Sequence, residues 1–246
     1  MSYRYKISSH FKNFKNILFD IQRYFNASNE SIHKARNELR IAEIEGEKVV
    51  IKAFKVPHLV NQFAYAYIRD GKARKSYDNA IALQALHVNT PESIGFIEFY
   101  RFGVLKESYF LAKYEAYNFT IREAFHHKID DWSEVIQAFA AFTYDLHVKG
   151  VWHVDYSPGN ILITRVEQGY HFSLVDINRM EFKKIEGYEG LENFAKFWAK
   201  EEDLKLLASE YASLASLDES RAIEVALASA QKLQAKTNLK RKLKGK

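Results

Sequence analysis

The chain has 246 residues, 47% of them hydrophobic and 15% aromatic, which suits one globular domain or a single two-lobed unit and excludes a disordered chain. It contains no cysteine, so disulfides, a cysteine nucleophile and thiolate metal sites are ruled out. The net charge of +5 is modest, and no apolar run reaches the length of a secretory signal or a membrane span, so a cytoplasmic protein is expected.

Residues 11–25 place Phe11, Phe14, Leu18, Ile21 and Phe25 at helical spacing, which predicts an amphipathic helix packed on the body of the protein or touching a membrane surface. Residues 39–54 predict two strands joined at Glu45-Gly46, the second dense in β-branched residues. Lys52 interrupts that apolar strand, which by itself suits an edge position or a solvated face. In the strand pattern V-A-I-K such a lysine pairs with the α/β-phosphates of ATP. Residues 72–88 predict a helix whose one acid, Asp78, is either the partner that would hold Lys52 in place or a surface acid beside Arg74 and Lys75, the first being the reading preferred. Two strands follow, TPESIGFIEFY and ESYFLAKYEAY. The second runs into a hinge at Tyr114-Glu115-Ala116, where backbone groups would meet an adenine ring, with Glu115 at its centre.

Asp131 and Glu134 form a D-x-x-E capping box, opening a helix that turns Val135, Phe139, Phe142 and Leu146 inward and stops at Gly150. The short strand VWH then enters a loop containing His153, Asp155 and Asn160, in the order H-x-D-x-x-x-x-N. A hairpin, ILIT and YHFSLVD about Gln168-Gly169, brings Asp176 back beside Asn160. Phosphoryl transfer from ATP needs this inventory: a carboxylate for the acceptor hydroxyl proton, Asp155, and an Asn and an Asp, Asn160 and Asp176, to hold Mg²⁺. His153 reads as a brace for the backbone rather than a proton carrier.

Two absences shape this reading. No glycine precedes the lysine strand, so the phosphates would be covered by Lys34-Ala35-Arg36-Asn37, through backbone N–H groups and the Arg36 or Lys34 charge. No proline follows Pro158, so an A-P-E-like segment is missing, which argues against an ordinary protein kinase and for a small-molecule or glycan kinase. A pseudokinase or regulatory nucleotide-binding module, and a kinase for another small-molecule or protein hydroxyl, stay open. The last fifteen residues carry seven Lys/Arg and no acid. They suit a solvated terminal helix or a contact with anionic lipid headgroups; nucleic acid is not expected.

Over roughly residues 35–240 the chain resembles the bacterial lipopolysaccharide kinases of the Kdo/heptose (WaaP-like) group. The resemblance rests on VVIKAFKVPHLVNQFAYAYI, on ARKSYDNAIAL with NTPESIG, on HVDYSPGNIL, on DINRMEF with Asn178-Arg179 after Asp176, and on the spacing of Lys55, Pro57 and Asn61. It implies an α+β, two-lobed protein-kinase-like fold: residues 1–115 a small antiparallel sheet with a helix beside it, residues 116–246 a compact, mainly helical lobe with the basic tail. It also implies transfer of the ATP γ-phosphate to a sugar hydroxyl of the lipopolysaccharide inner core at the inner face of the inner membrane. By matching positions Lys52 would hold the phosphates, Asp78 would anchor Lys52, Asp155 would be the base, and Asn160 and Asp176 would bind Mg²⁺.

Overall fold

The computed structural model describes residues 2–28, 30–34, 37–55 and 71–243, in two compact units, Met1–Glu115 and Ala116–Lys246. The first is built on a six-stranded antiparallel sheet: β1 (Ser2–Ile7), β2 (Glu30–Lys34), β3 (Asn37–Ile44), β4 (Glu47–Phe54), β5 (Ser93–Arg101) and β6 (Val104–Lys113), in the order β1-β5-β6-β4-β3-β2. The β3–β4 hairpin turns at Glu45 and Gly46, both with positive φ, as a two-residue hairpin loop of the favoured hand requires. Lys52 lies mid-strand on β4, opposite Leu39 of β3 and Phe110 of β6.

The N-terminal segment departs from the single predicted helix. Ser2–Ile7 is a strand paired with β5, followed by a 3₁₀ run (Ser9–Phe14) and two short helices, α1 (Lys15–Phe19) and α2 (Ile21–Ala27). The backbone leaves helical geometry at Phe11 (φ −117°, ψ 34°), which breaks the run. The apolar stripe nonetheless does what its spacing implies. Phe11, Phe14, Leu18, Ile21 and Phe25 are all buried with Val49, Ile51, Ile97 and Leu111 of the sheet, each such burial worth about 1.5–3 kcal/mol.

Helix α3 (Lys72–Ala85) buries Ala73, Tyr77, Ala80 and Leu83, with Tyr77 and Ala73 against Phe54 and Phe96 of the sheet. Gly71 is its N-cap, and a Cβ there would lie 1.8 Å from Glu98 Oε1, so any larger residue must displace that buried carboxylate. Glu98 on β5 is only 1% exposed, and burial pushes its carboxyl above the usual range although Tyr100 donates a 2.8 Å bond to Oε2.

The second unit is mainly helical: α4 (Ile121–Phe125), α5 (Trp132–Val148), a 3₁₀ run at Gly187–Phe197, α6 (Glu201–Ala215) and α7 (Glu219–Leu243). Short strands flank the loop of interest: β7 (Phe119–Thr120), β8 (Val151–His153), β9 (Ile161–Val166), β10 (Gly169–Leu174) and β11 (Met180–Phe182). The predicted capping box at Asp131 is not made. Asp131 is the N-cap of α5, but its carboxylate is taken by the Arg165 fork (2.6 and 3.1 Å) and by Tyr170 Oη (2.7 Å). A box of that type forms instead one helix earlier, where Glu123 accepts from both the Thr120 N–H (2.9 Å) and its hydroxyl (2.7 Å).

Gly150 ends the α5 region at φ +73°, where a Cβ would sit 2.9 Å from the Lys183 carbonyl oxygen. The core of this unit is aromatic: Phe139 of α5 packs with Phe125, Tyr156, Phe172 and Phe197. Among the described residues no helix is long and apolar enough to cross a membrane.

Candidate phosphotransfer site

The loop between β8 and β9 is held by its own polar atoms. His153 is 1% exposed. Its Nδ1 accepts the Asp155 backbone N–H at 3.1 Å, which fixes the tautomer, so Nε2 carries the proton and donates to the Val175 carbonyl at 3.1 Å. Burial holds the His153 pKa below its ordinary value. A neutral imidazole with both nitrogens committed braces the loop and moves no proton.

The same loop closes on the Asp155 carbonyl, which accepts from Ser157 N–H (2.7 Å) and from Asn160 Nδ2 (2.9 Å). Tyr156 fastens it from below: fully buried, it stacks on Phe139 and shares a 2.8 Å hydrogen bond with Thr143 of α5. The Tyr156 side chain is wholly buried in the core, while the Asp155 side chain before it keeps 32% of its surface exposed.

Asn160 and Asp176 are brought together by backbone pairing. The β9–β10 hairpin aligns Ile161 with Leu174, and the next amide, Val175 N–H, donates to the Asn160 carbonyl at 3.0 Å. Asp176 then takes φ +56°, a left-handed conformation that aspartate tolerates better than most residues and that clusters at functional sites. Asn178, itself buried, donates to Asp176 Oδ1 at 2.5 Å. The Asn160 amide nitrogen is committed to the Asp155 carbonyl, so its Oδ1 is the atom left to act as a ligand; with the Asp176 carboxylate it offers hard oxygens of the kind Mg²⁺ takes.

Asp155 sits between two cations. Lys196 Nζ lies 3.1 Å from Oδ1 and Arg179 Nη1 3.1 Å from Oδ2. Burial pushes its carboxyl up, but the Lys196 bond and charge, with Arg179, outweigh that and hold it below the usual carboxylate range. An ionised carboxylate beside two metal-type oxygen donors can orient a hydroxyl and accept its proton. Lys196 was not visible in the sequence: it lies 41 residues beyond Asp155, and no spacing rule links the two.

The other predicted groups lie in the N-terminal unit. Lys52 is 8% exposed, its Nζ 5.1 Å from the Phe54 ring centroid, a cation over an aromatic face. Asp78 does not anchor it. The Asp78 carboxylate, on the outer face of α3, accepts from Lys6 of β1 (2.8 Å) and from Arg74 one turn earlier (3.3 Å). A short side chain at a surface flanked by two cations is satisfied there, which corrects the expected Lys52–Asp78 pair. Glu115 follows β6 in irregular chain, half-buried, next to Tyr114, whose N–H donates to the Lys48 carbonyl at 2.7 Å. Ala35, Arg36, Pro57 and Asn61 lie outside the described residues, as does the Lys34 side chain.

One further donor cluster exists in the C-terminal unit. His127, Glu202 and Asp203 bring three ligand atoms within 4.8 Å of one another. The Lys200 ammonium, 3.3 Å from His127 Nδ1 and 3.4 Å from Glu202, already answers that negative charge.

No family model matches the chain, and no curated protein sequence matches it. Among solved structures, that of WaaP in complex with acyl carrier protein is similar at a TM-score of 0.63 and 16% identity, over 94% of this chain and 99% of that one. The similarity establishes the fold: α+β and two-lobed, of the protein-kinase-like kind.

Proposed function

We propose that the protein is an ATP-dependent kinase of the WaaP-like kind, which transfers the γ-phosphate to a sugar hydroxyl of the lipopolysaccharide inner core, Kdo or heptose. The observation that carries the reading is the loop of the C-terminal unit: Asp155, ionised and partly exposed, beside Asn160 and Asp176 joined through the Val175–Asn160 backbone bond. The fold shared with WaaP and the resemblance of HVDYSPGNIL and DINRMEF to the lipopolysaccharide kinases support the acceptor class.

In this reading Asp155 accepts the hydroxyl proton late, as the sugar oxygen forms its bond to the γ-phosphorus and ADP leaves with the electrons of the β–γ bridge. Asn160 and Asp176 would hold Mg²⁺, whose contribution is to neutralise charge on the phosphates. Lys52 would answer phosphate charge from β4, Glu115 would lie against the adenine, and Arg36 would cover the phosphates. The exposed basic end of α7, with Lys236, Lys240, Arg241 and Lys242, suits a peripheral contact with an anionic inner-membrane surface, each near-surface cation being worth about 1 kcal/mol. The test is transfer of labelled γ-phosphate from Mg-ATP to dephosphorylated lipopolysaccharide core by the purified protein. Label in the glycolipid is expected. Mg-ATP binding with no label in any glycolipid would remove the acceptor assignment.

A further inference from the structure

The loop from His153 to Asn160 contains no lysine or arginine of its own, yet its aspartate meets two cations. The two contacts are unequal. Lys196 Nζ is bonded twice, to Asp155 Oδ1 at 3.1 Å and to the Val154 carbonyl oxygen. Arg179 makes one bond to the carboxylate, at 3.1 Å to Oδ2, and its side chain is 55% exposed against 35% for Lys196.

The platform under Lys196 is also fixed to the loop. Phe197, its neighbour, is buried against Phe125, Phe139 and Tyr156. Asn193, three residues earlier, donates from Nδ2 to the His153 carbonyl at 3.2 Å and faces His147 Nε2 with its Oδ1 at 3.4 Å. The 3₁₀ run therefore grips the loop at His153, Val154 and Asp155 in succession.

We propose that Lys196 is the positioning residue of the site: it fixes the Asp155 carboxylate through Oδ1 and leaves Oδ2 as the oxygen that meets the acceptor hydroxyl when Arg179 yields. The inference rests on the phosphotransferase reading above. A carboxylate has two oxygens, and the reaction needs one of them. The contact that can be exchanged is the single, exposed one, because such a pair contributes little net energy. The doubly bonded ammonium stays and holds both the peptide before the aspartate and the carboxylate itself. Loss of that hold lowers turnover more than nucleotide affinity, since binding ATP does not require an oriented Asp155.

The test uses the full chain with Mg-ATP and dephosphorylated lipopolysaccharide core, comparing wild type, Lys196→Met, Lys196→Arg, Asp155→Asn and the double variant Lys196→Met/Asp155→Asn. Misplacing one reacting group costs about 100-fold, so Lys196→Met should lose about 100-fold in kcat with the KM for ATP changed less than about two-fold. Lys196→Arg, which keeps a cation of similar reach, should recover about ten-fold of that loss. On the Asp155→Asn background, with no carboxylate left to position, Lys196→Met should change the residual rate less than about two-fold. Should Lys196→Met melt below the wild type, Lys196→Gln takes its place. A Lys196→Met enzyme turning over within about three-fold of wild type overturns this inference alone. So does a full loss on the Asp155→Asn background. Absence of transfer by the wild type to this acceptor, with Mg-ATP bound, overturns the acceptor assignment and, with it, the positioning role stated for that reaction.

Discussion

His147 lies on the buried face of α5, 4% exposed, with Nδ1 against Tyr211 Oη at 2.9 Å and Nε2 against Asn193 Oδ1 at 3.4 Å. Burial lowers its pKa from the ordinary 6.5 to about 4, against smaller opposing pulls from the Asn193 bond and the Glu189 charge. The unfolded chain protonates this histidine below 6.5, while the folded chain holds it neutral down to about 4. Between those values the unfolded state binds more protons, so stability falls as the pH falls. A difference of about 2.5, at about 1.36 kcal/mol each, amounts to about 3 kcal/mol below pH 4 and already about 2 kcal/mol at pH 5.

Urea unfolding followed by tryptophan fluorescence isolates this effect, because Trp132, Trp152 and Trp198 all lie in the C-terminal unit. Wild type and His147→Gln, whose amide cannot take the proton, are compared at pH 7 and pH 5. The wild type should lose about 2 kcal/mol more than the variant over that interval. Equal losses in the two proteins would refute the reasoning, since the carboxylates and every other histidine, buried His153 included, are common to both.

Two packing predictions follow from the same logic. Gly71→Ala drives a Cβ to within 1.8 Å of the buried Glu98 carboxylate, so it should destabilise the N-terminal unit by about 1–3 kcal/mol, read from hydrogen exchange of the β5 amides. Thr143→Val leaves the Tyr156 hydroxyl buried without its partner and should cost about 1–3 kcal/mol in tryptophan-detected unfolding. A loss below about 0.5 kcal/mol in either variant, the range of ordinary surface substitutions, would show that the contact does not bear on stability.

Much of the fold was legible because its signals are local. The β3–β4 hairpin announced itself through Glu45-Gly46 and the β-branched run around Lys52; α5 announced itself through its apolar spacing and Gly150. The order His153, Asp155, Asn160, Asp176 was legible for the same reason: one short loop and one hairpin hold all four. What stayed hidden depends on distant partners. Strand β1 alternates Tyr3, Tyr5 and Ile7, a period-two pattern overshadowed by the helical spacing that follows it, and only pairing with β5 decides its form. Asp131 carries a cap signature, but Arg165 and Tyr170, across the hairpin, compete for its carboxylate and win. Asp78 sits at the expected place on the helix, yet Lys6, 72 residues earlier, satisfies it. Lys196 has no local signature at all; the aromatic packing of Phe197 and the Asn193 bond bring it to Asp155.

On the proposed function Asp155 performs the chemistry while Asp176 holds the metal-bound nucleotide, and one paired measurement separates those roles. Label transfer from Mg-ATP and calorimetric Mg-ATP affinity are measured side by side for wild type, Asp155→Ala and Asp176→Ala. Asp155→Ala should lose turnover by about 1,000-fold or more while binding Mg-ATP nearly as the wild type does. Asp176→Ala should lose both. An Asp155→Ala protein that transfers phosphate at the wild-type rate would remove Asp155 from the chemistry, and an Asp176→Ala protein that binds Mg-ATP unchanged would remove Asp176 from the metal site.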